Sequence, residues 1–256
     1  MGSDSLSPGF TGIVQIRPTE DKERVTKLAR RTPFTLATRA VPRLALRPEN
    51  TALIVQDMQR YFTDPDCGLG RTASERGVSR EFDSYFEQLD VAKDNIALLV
   101  EEFRPRGIPL VFTRWAYEEL RDLSPLQRGI GAAIAADSPE AELMPGVELA
   151  PGDALVTKTG LGAFSASRFE EELVARRVEN LLLTGVITEF GIRSTALAAI
   201  DRGYRVIVVG DSCAGITLET HRNAVSELTF GTMKVRSTGE ILRYAEGLDR
   251  EDLILV

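Results

Sequence analysis

The sequence predicts an α/β domain built on a six-stranded parallel sheet with helices on both faces. Three observations carry that expectation. From about residue 50, short apolar runs alternate with longer amphipathic ones. The central short runs are apolar throughout, as strands buried on both faces must be. A chain of 256 residues with 43% apolar content is long enough to bury one large core. Strand alternating with helix in this way leads to parallel strands joined by crossover helices.

The elements follow in order. Residues 1–48 are expected to form an N-terminal extension and 49–256 the domain. Thr51–Gln56 (TALIVQ) is the first strand, followed by a helical pattern over Ser79–Phe103, and Pro109–Thr113 (PLVFT) is the second. Residues 116–153 make a long connection punctuated by Pro125, Pro139, Pro145 and Pro151. A connection of that length is usually a lid, a binding loop or a subunit contact. Strand candidates Ala154–Thr157, Asn180–Thr184, Arg205–Val209 and Lys234–Ser237 complete the sheet. Helical patterns cover Ala166–Arg177, Thr188–Asp201, Leu218–Leu228 and Thr238–Ala245. Ser165 or Ser167 is placed as a cap of the Ala166–Arg177 helix, and Gly203 stands where the Thr188–Asp201 helix should stop.

Composition excludes a good deal of chemistry. A formal charge of −7 argues against phosphate-neutralising nucleic-acid binding. The charge is uneven: residues 17–43 hold eight basic residues against three acidic, +5, which leaves −12 elsewhere. Such an arm suits packing on an acidic body or on a neighbouring subunit, and Phe34, Leu36, Ala37 and Val41 within it look like docking residues. Two cysteines are too few for a disulfide framework or a Cys₄ zinc site, and one histidine cannot furnish a multi-imidazole metal centre. No apolar run approaches the ~20 residues of a membrane span. The start, MGSDSLSPGF, lacks the apolar segment of a secretory signal, so a cytoplasmic location is expected. No GxGxxG or GxxxxGK[ST] phosphate loop is present, and no cofactor is called for.

In a doubly wound sheet the ligand crevice lies outside the carboxyl ends of the strands. That rule singles out Gln56–Gln59, Arg114–Trp115, Lys158, Gly185–Gly191 and Asp211–Cys213. Asp57, just past the first strand in IVQDMQRYF, is either a general acid or base with a raised pKa or a turn-capping carboxylate. Lys158, in LVTKTGLGAF, either supplies positive charge beside Asp57 or lies along the surface. The GVITEFG segment, Gly185–Gly191, either offers backbone N–H groups to a developing oxyanion or is a plain strand-to-helix turn. Cys67, in TDPDCGLG, has no evident base, Cys213 reads as structural, and His221 reads as a packing or capping residue.

Taken together, IVQDMQRYF, VTKTGLGAF and LLLTGVITEFGIRSTALAAIDRGYRVIVVGDSCAGIT resemble the isochorismatase-like hydrolases, also called the cysteine hydrolase superfamily. The resemblance spans about residues 50–245 and implies the three-layer, Rossmann-like parallel fold. It further implies that Asp57 and Lys158 occupy the catalytic Asp and Lys positions, with a cis peptide at Val186–Ile187. The family's nucleophilic cysteine, which attacks an amide or related carbonyl, would fall at Gly191. Three explanations follow. The chain belongs to the branch with Gly at this position, which hydrolyses a vinyl ether by acid–base catalysis. Or it is a C–N (amide or carbamoyl) hydrolase whose nucleophile was lost or engineered away at Gly191. Or it is a non-catalytic small-molecule-binding member. Arg128, in SPLQRGIGAA, matches the arginine that binds a substrate carboxylate, which implies a small carboxylate-bearing substrate. Gln59, Trp115, Phe164 and Ile187 are the remaining substrate-binding positions. Trp115 and Ile187 replace a Gln and a Tyr of that branch and imply a less polar pocket. The resemblance implies no metal and a homo-oligomer, dimer or tetramer.

Overall fold

The computed structural model describes residues 46–229 and 233–246. The basic stretch 17–43, and with it most of the expected N-terminal extension, lies outside the described residues. Six strands form one sheet: β1 (Thr51–Gln56), β2 (Leu110–Trp115), β3 (Ala154–Lys158), β4 (Asn180–Val186), β5 (Arg205–Ala214) and β6 (Met233–Arg236). Their order is β3-β2-β1-β4-β5-β6, and every neighbouring pair is parallel. The chain winds outward from β1 to β3, returns to place β4 beside β1, and winds outward again. The switch point of the topology therefore lies between β1 and β4, where a crevice opens beyond the strand ends.

Eight α-helices are described: α1 (Arg60–Thr63), α2 (Gly68–Glu75), α3 (Asp83–Phe103), α4 (Pro125–Ile130), α5 (Ser167–Ala175), α6 (Arg193–Asp201), α7 (Leu218–Glu227) and α8 (Thr238–Glu246). Because strand side chains alternate, each run of apolar residues feeds two cores at once. Leu53, Val55, Leu110, Phe112, Leu182 and Ile207 meet Leu89, Ile96, Leu99 and Phe103 of α3 and Ile241 of α8 on one face. Ala52, Ile54, Val111, Val156, Leu183 and Val208 meet Phe169 and Leu173 of α5 and Ala196 and Ala199 of α6 on the other. None of these helices is long and apolar enough to cross a membrane.

Several expected boundaries shift for identifiable reasons. β4 and β5 run past Thr184 and Val209, through the glycines that read as strand ends. The ladder takes up a register shift between Leu183 and Gly185 and resumes at Gly185–Cys213. The Ser79–Phe103 pattern opens as a 3₁₀ turn before α3 begins at Asp83, and the Thr188–Asp201 pattern opens as a π turn over Thr188–Ile192. The expected serine cap of α5 is corrected: Ala166 is the N-cap and makes no side-chain cap bond. The Ser165 hydroxyl is spent donating to Gly162 O instead, at 2.7 Å. The long connection folds back onto the body, burying Ala132, Ile134, Ala141, Met144 and Val147.

Gly185 and Gly203 both have positive φ, +110° and +87°, but differ in surroundings. A Cβ at Gly185 would overlap the Gln56 carbonyl oxygen and lie 2.8 Å from its carbon, whereas one at Gly203 would meet nothing within 4 Å. Gly203→Ala is therefore expected to cost about 1 kcal/mol from backbone conformation alone. Gly185→Ala should cost roughly 3 kcal/mol or more, since two backbones must part. Urea denaturation of both variants checks this, and equal losses would contradict it.

Candidate active site

Sheet register assembles the site. Gln56, the last residue of β1, pairs with Thr113 of β2 and with Gly185 of β4, while Trp115 of β2 pairs with Lys158 of β3. Asp57 follows with φ +55°, a left-handed backbone uncommon outside glycine. Its N–H donates to Thr113 O at 3.0 Å. Its carboxylate reaches along the sheet edge: Oδ1 accepts from Thr113 Oγ1 at 2.7 Å and Oδ2 from Lys158 Nζ at 2.7 Å. Lys158 Nζ also donates to Gly160 O at 3.1 Å and Leu161 O at 2.9 Å, which engages all three ammonium donors.

Both side chains are buried, Lys158 at 2% and Asp57 at 4% exposure. Burial pushes the Asp57 carboxyl above the usual carboxylate range. The Lys158 ammonium pulls hardest the other way, helped by hydrogen bonds from Lys158 and Thr113 and by the nearby Gln56 amide. Burial likewise pulls Lys158 below the usual ammonium range, with Asp57 opposing. A carboxyl group whose pKa is raised in this way has the property that a general acid requires.

Beyond β4 the Val186–Ile187 peptide is cis, and the π turn Thr188–Ile192 leads into α6. The N–H groups of Phe190 and Ile192 both donate to Ile187 O, at 3.1 and 3.2 Å, so these two are engaged within the turn. Gly191 of this turn, with Asp57 and Lys158, lines a cavity of about 220 Å³. Its remaining walls are Tyr61, Phe62, Leu69, Phe82, Trp115, Ile130, Leu161, Ile187, Phe190 and Ile216. Trp115 is fixed by an indole N–H bond to Thr159 O at 2.9 Å and by stacking on Phe62, with ring centroids 5.9 Å apart.

The structure thus brings together Asp57, Lys158, Gly191, Trp115 and Ile187. It does not bring Gln59, Arg128 or Phe164 to the cavity lining. Gln59 is fully buried with both ends of its amide on main chain: Oε1 accepts from Trp115 N at 2.5 Å, and Nε2 donates to Trp115 O and Glu140 O. Arg128 turns its guanidinium back onto carbonyls of its own connection, Leu123 O at 3.2 Å and Leu120 O at 3.3 Å. Phe164 packs edge-on against Phe169 beneath α5, with the Arg202 guanidinium 4.7 Å from its ring centre. Sequence reasoning missed Thr113 and the role of Gln56. The first is visible only through β2 register, although Gln56 stands next to Asp57 in the motif.

Cys67 and Cys213 are buried, burial raises both thiols, and neither lines the cavity. His221 Nδ1 lies 2.9 Å from Thr188 Oγ1, and burial lowers its pKa to about 4. Among the described residues no group of three or more His, Cys, Asp or Glu side chains is arranged to hold a metal ion.

The isochorismatase domain matches residues 51–240 of this chain. The isochorismatase family protein YecD of Escherichia coli O157:H7 is 26% identical over 209 residues, 78% of this chain and 98% of its own length. A probable isochorismatase of Pseudomonas chlororaphis is 25% identical over 203 residues, 77% of this chain and 87% of its own. Among solved structures, a cysteine hydrolase from Pseudomonas syringae pv. phaseolicola 1448A superposes with a TM-score of 0.68 at 19% identity. That match covers 82% of this chain and 99% of the other. Parallel sheet, switch-point cavity and domain match agree, and the chain belongs to the isochorismatase family of hydrolases.

His221, beside the turn, generates a pH prediction. Its folded pKa of about 4 lies below the ordinary 6.5, so the unfolded chain binds the proton first as pH falls. Its contribution is present above pH 6.5 and is lost as pH falls through about 4, on the order of 3 kcal/mol in all. His221→Gln should flatten the dependence of thermal stability on pH between those values. An unchanged slope would contradict the assignment.

Proposed function

We propose that this isochorismatase-family hydrolase cleaves a small, largely apolar substrate by acid–base catalysis at Asp57, without a covalent intermediate. The observation that carries the reading is the composition of the cavity wall, which among the described residues holds no thiol and no aliphatic hydroxyl. The Lys158 amine is no substitute nucleophile, because all its donors are committed and its charge balances Asp57. Tyr61 lines the wall with its phenol pKa raised by burial, so it stays neutral at ordinary pH. What remains is a carboxyl group whose pKa burial raises, which is the property a general acid requires.

Vinyl-ether hydrolysis fits that equipment. Asp57 donates its proton to the terminal enol carbon, and the ether oxygen's lone pair forms the oxocarbenium ion. Water adds to the oxygen-bearing carbon of that ion and returns a proton to Asp57. The hemiketal then collapses to a ketone and an alcohol. Thr113 and Lys158 orient the carboxyl group, and Lys158 balances the carboxylate left after the first transfer. The wall of Phe62, Leu69, Phe82, Trp115, Ile187 and Ile216 selects an apolar body. The carboxylate-bearing substrate expected from Arg128 is not retained, because that guanidinium is bonded to Leu120 O and Leu123 O and is not among the lining residues. The cavity volume lies below the ~300–1,000 Å³ of drug-sized sites, which keeps the substrate small.

A panel of small aryl and alkyl vinyl ethers, scored for ketone release, tests the proposal. Asp57→Asn should lower kcat/KM on the order of 10³-fold with the circular dichroism spectrum unchanged. Retained turnover would refute the role. Ligands that raise Tm but are never turned over would favour a binding protein instead. Because Lys158 lowers the Asp57 pKa, Lys158→Met should move the alkaline limb of the kcat/KM profile to higher pH. A limb that stays in place or moves down would contradict proton donation by Asp57.

A further inference from the structure

Gln56 is a fully buried polar side chain beside Asp57 that the mechanism above does not use. Its Oε1 accepts from Thr195 Oγ1 at 2.7 Å, and Thr195 Oγ1 in turn accepts from Ala163 N at 2.8 Å. That chain of bonds pins the amide from the α6 side. Nε2 then points the other way, buried and without a hydrogen-bond partner of proper geometry among the described residues, although the amide lies near enough to help lower the Asp57 pKa. Turning the amide over would bring a lone-pair oxygen toward that carboxylate, so the present orientation is the favourable one.

The space Nε2 fills is the space a side chain at residue 191 would need. A Cβ built on Gly191 would overlap Gln56 Nε2 and would stand 3.3 Å from both Leu161 O and Val186 O. Leu161 O is itself held by Lys158 Nζ, so it cannot withdraw without loosening the ion pair. Gly191 φ is not among the positive values, so backbone conformation does not demand glycine there. What excludes a side chain is the neighbouring amide.

We propose that Gln56 is a specificity-determining residue that stands where a nucleophilic side chain would stand, and that Gln56 and Gly191 form one matched pair holding this site to non-covalent chemistry. This rests on the acid–base reading of the site and deepens it: the glycine is part of a fitted floor and is not a truncated cysteine. The amide lies behind Gly191, which lines the cavity, so substrates that reach the level of Gly191 must tolerate a hydrogen-bond donor behind it.

The test is a double-mutant cycle read by thermal unfolding and thiol alkylation, neither of which depends on turnover. Gly191→Ala in the native background should lower Tm by roughly 5 °C, the scale of an overpacked buried site. In a Gln56→Ala background the same substitution should cost less than half that shift. For the cysteine arm, Gly191→Cys with Gln56→Ala should fold and take up one more equivalent of iodoacetamide than Gln56→Ala alone. Gly191→Cys alone should melt well below it or fail to fold. Equal Tm losses in both backgrounds would overturn the proposal, as would failure of both cysteine variants or an alkylated, undestabilised Gly191→Cys single variant. These outcomes are separable from the catalytic assignment, which is read by Asp57→Asn and Lys158→Met.

Discussion

The buried pair of Asp57 and Lys158 is the constraint around which this end of the molecule is arranged. Two charges withdrawn from water cost several kcal/mol each unless every remaining lone pair and proton is met. Here the answer comes from backbone and strand neighbours: Thr113 for the second carboxylate oxygen, and the carbonyls of Gly160 and Leu161 for the other two ammonium protons. Those partners stand on β1, β2 and the turn after β3, so the pair exists only when three strands are in register. A one-residue slip of β2 would move Thr113 to the opposite face and leave the carboxylate half-satisfied. The two apolar cores above and below the sheet therefore do more than stabilise the fold, because they fix the register on which the proton-holding group depends.

The same geometry separates what could be read from the sequence from what could not. Continuous apolar runs such as TALIVQ and NLLLT marked the central strands, because a doubly buried strand has few other ways to look, whereas KVRS at β6 carries no such run. Asp57 and Lys158 were legible from their positions at strand ends, and GVITEFG as a strand-to-helix turn. Thr113 was not, since a threonine inside PLVFT is ordinary strand composition until β1 is placed beside it. Gln59, Arg128 and Phe164 show the opposite failure. Position in a motif suggested contact with a ligand, yet each side chain found partners inside the protein: main chain for Gln59, its own loop for Arg128, and a ring and a guanidinium for Phe164. The strand expected over Asn180–Thr184 runs on to Val186, because Gly185 continues β4 through a positive φ that no other residue would adopt there cheaply.

The cavity joins two environments of unlike polarity. Its floor is a dense hydrogen-bonded patch, and its walls are rings and aliphatic chains. Water admitted to such a space has few places to bond except at the Asp57 carboxyl group, so it is directed to that end of the cavity. An apolar substrate body would displace the rest and strengthen the electrostatics of the pair behind it.

Gln59 carries a further consequence. Its amide is clamped to Trp115 and Glu140, and around it Arg60 N donates to Glu142 O while Met144 N donates to Met58 O. The long connection is thereby stitched, through main-chain bonds, to the segment that bears Asp57. A connection anchored in this way cannot swing as a rigid door without pulling on the Asp57 carboxylate. Traffic into the cavity then passes the rim between the connection and the two turns facing it, where Ile130, Leu161 and Phe190 are exposed at 60%, 41% and 49%. Passage between those three side chains strips water from a ligand before it meets any charge, so the doorway filters for lipophilicity ahead of the chemistry.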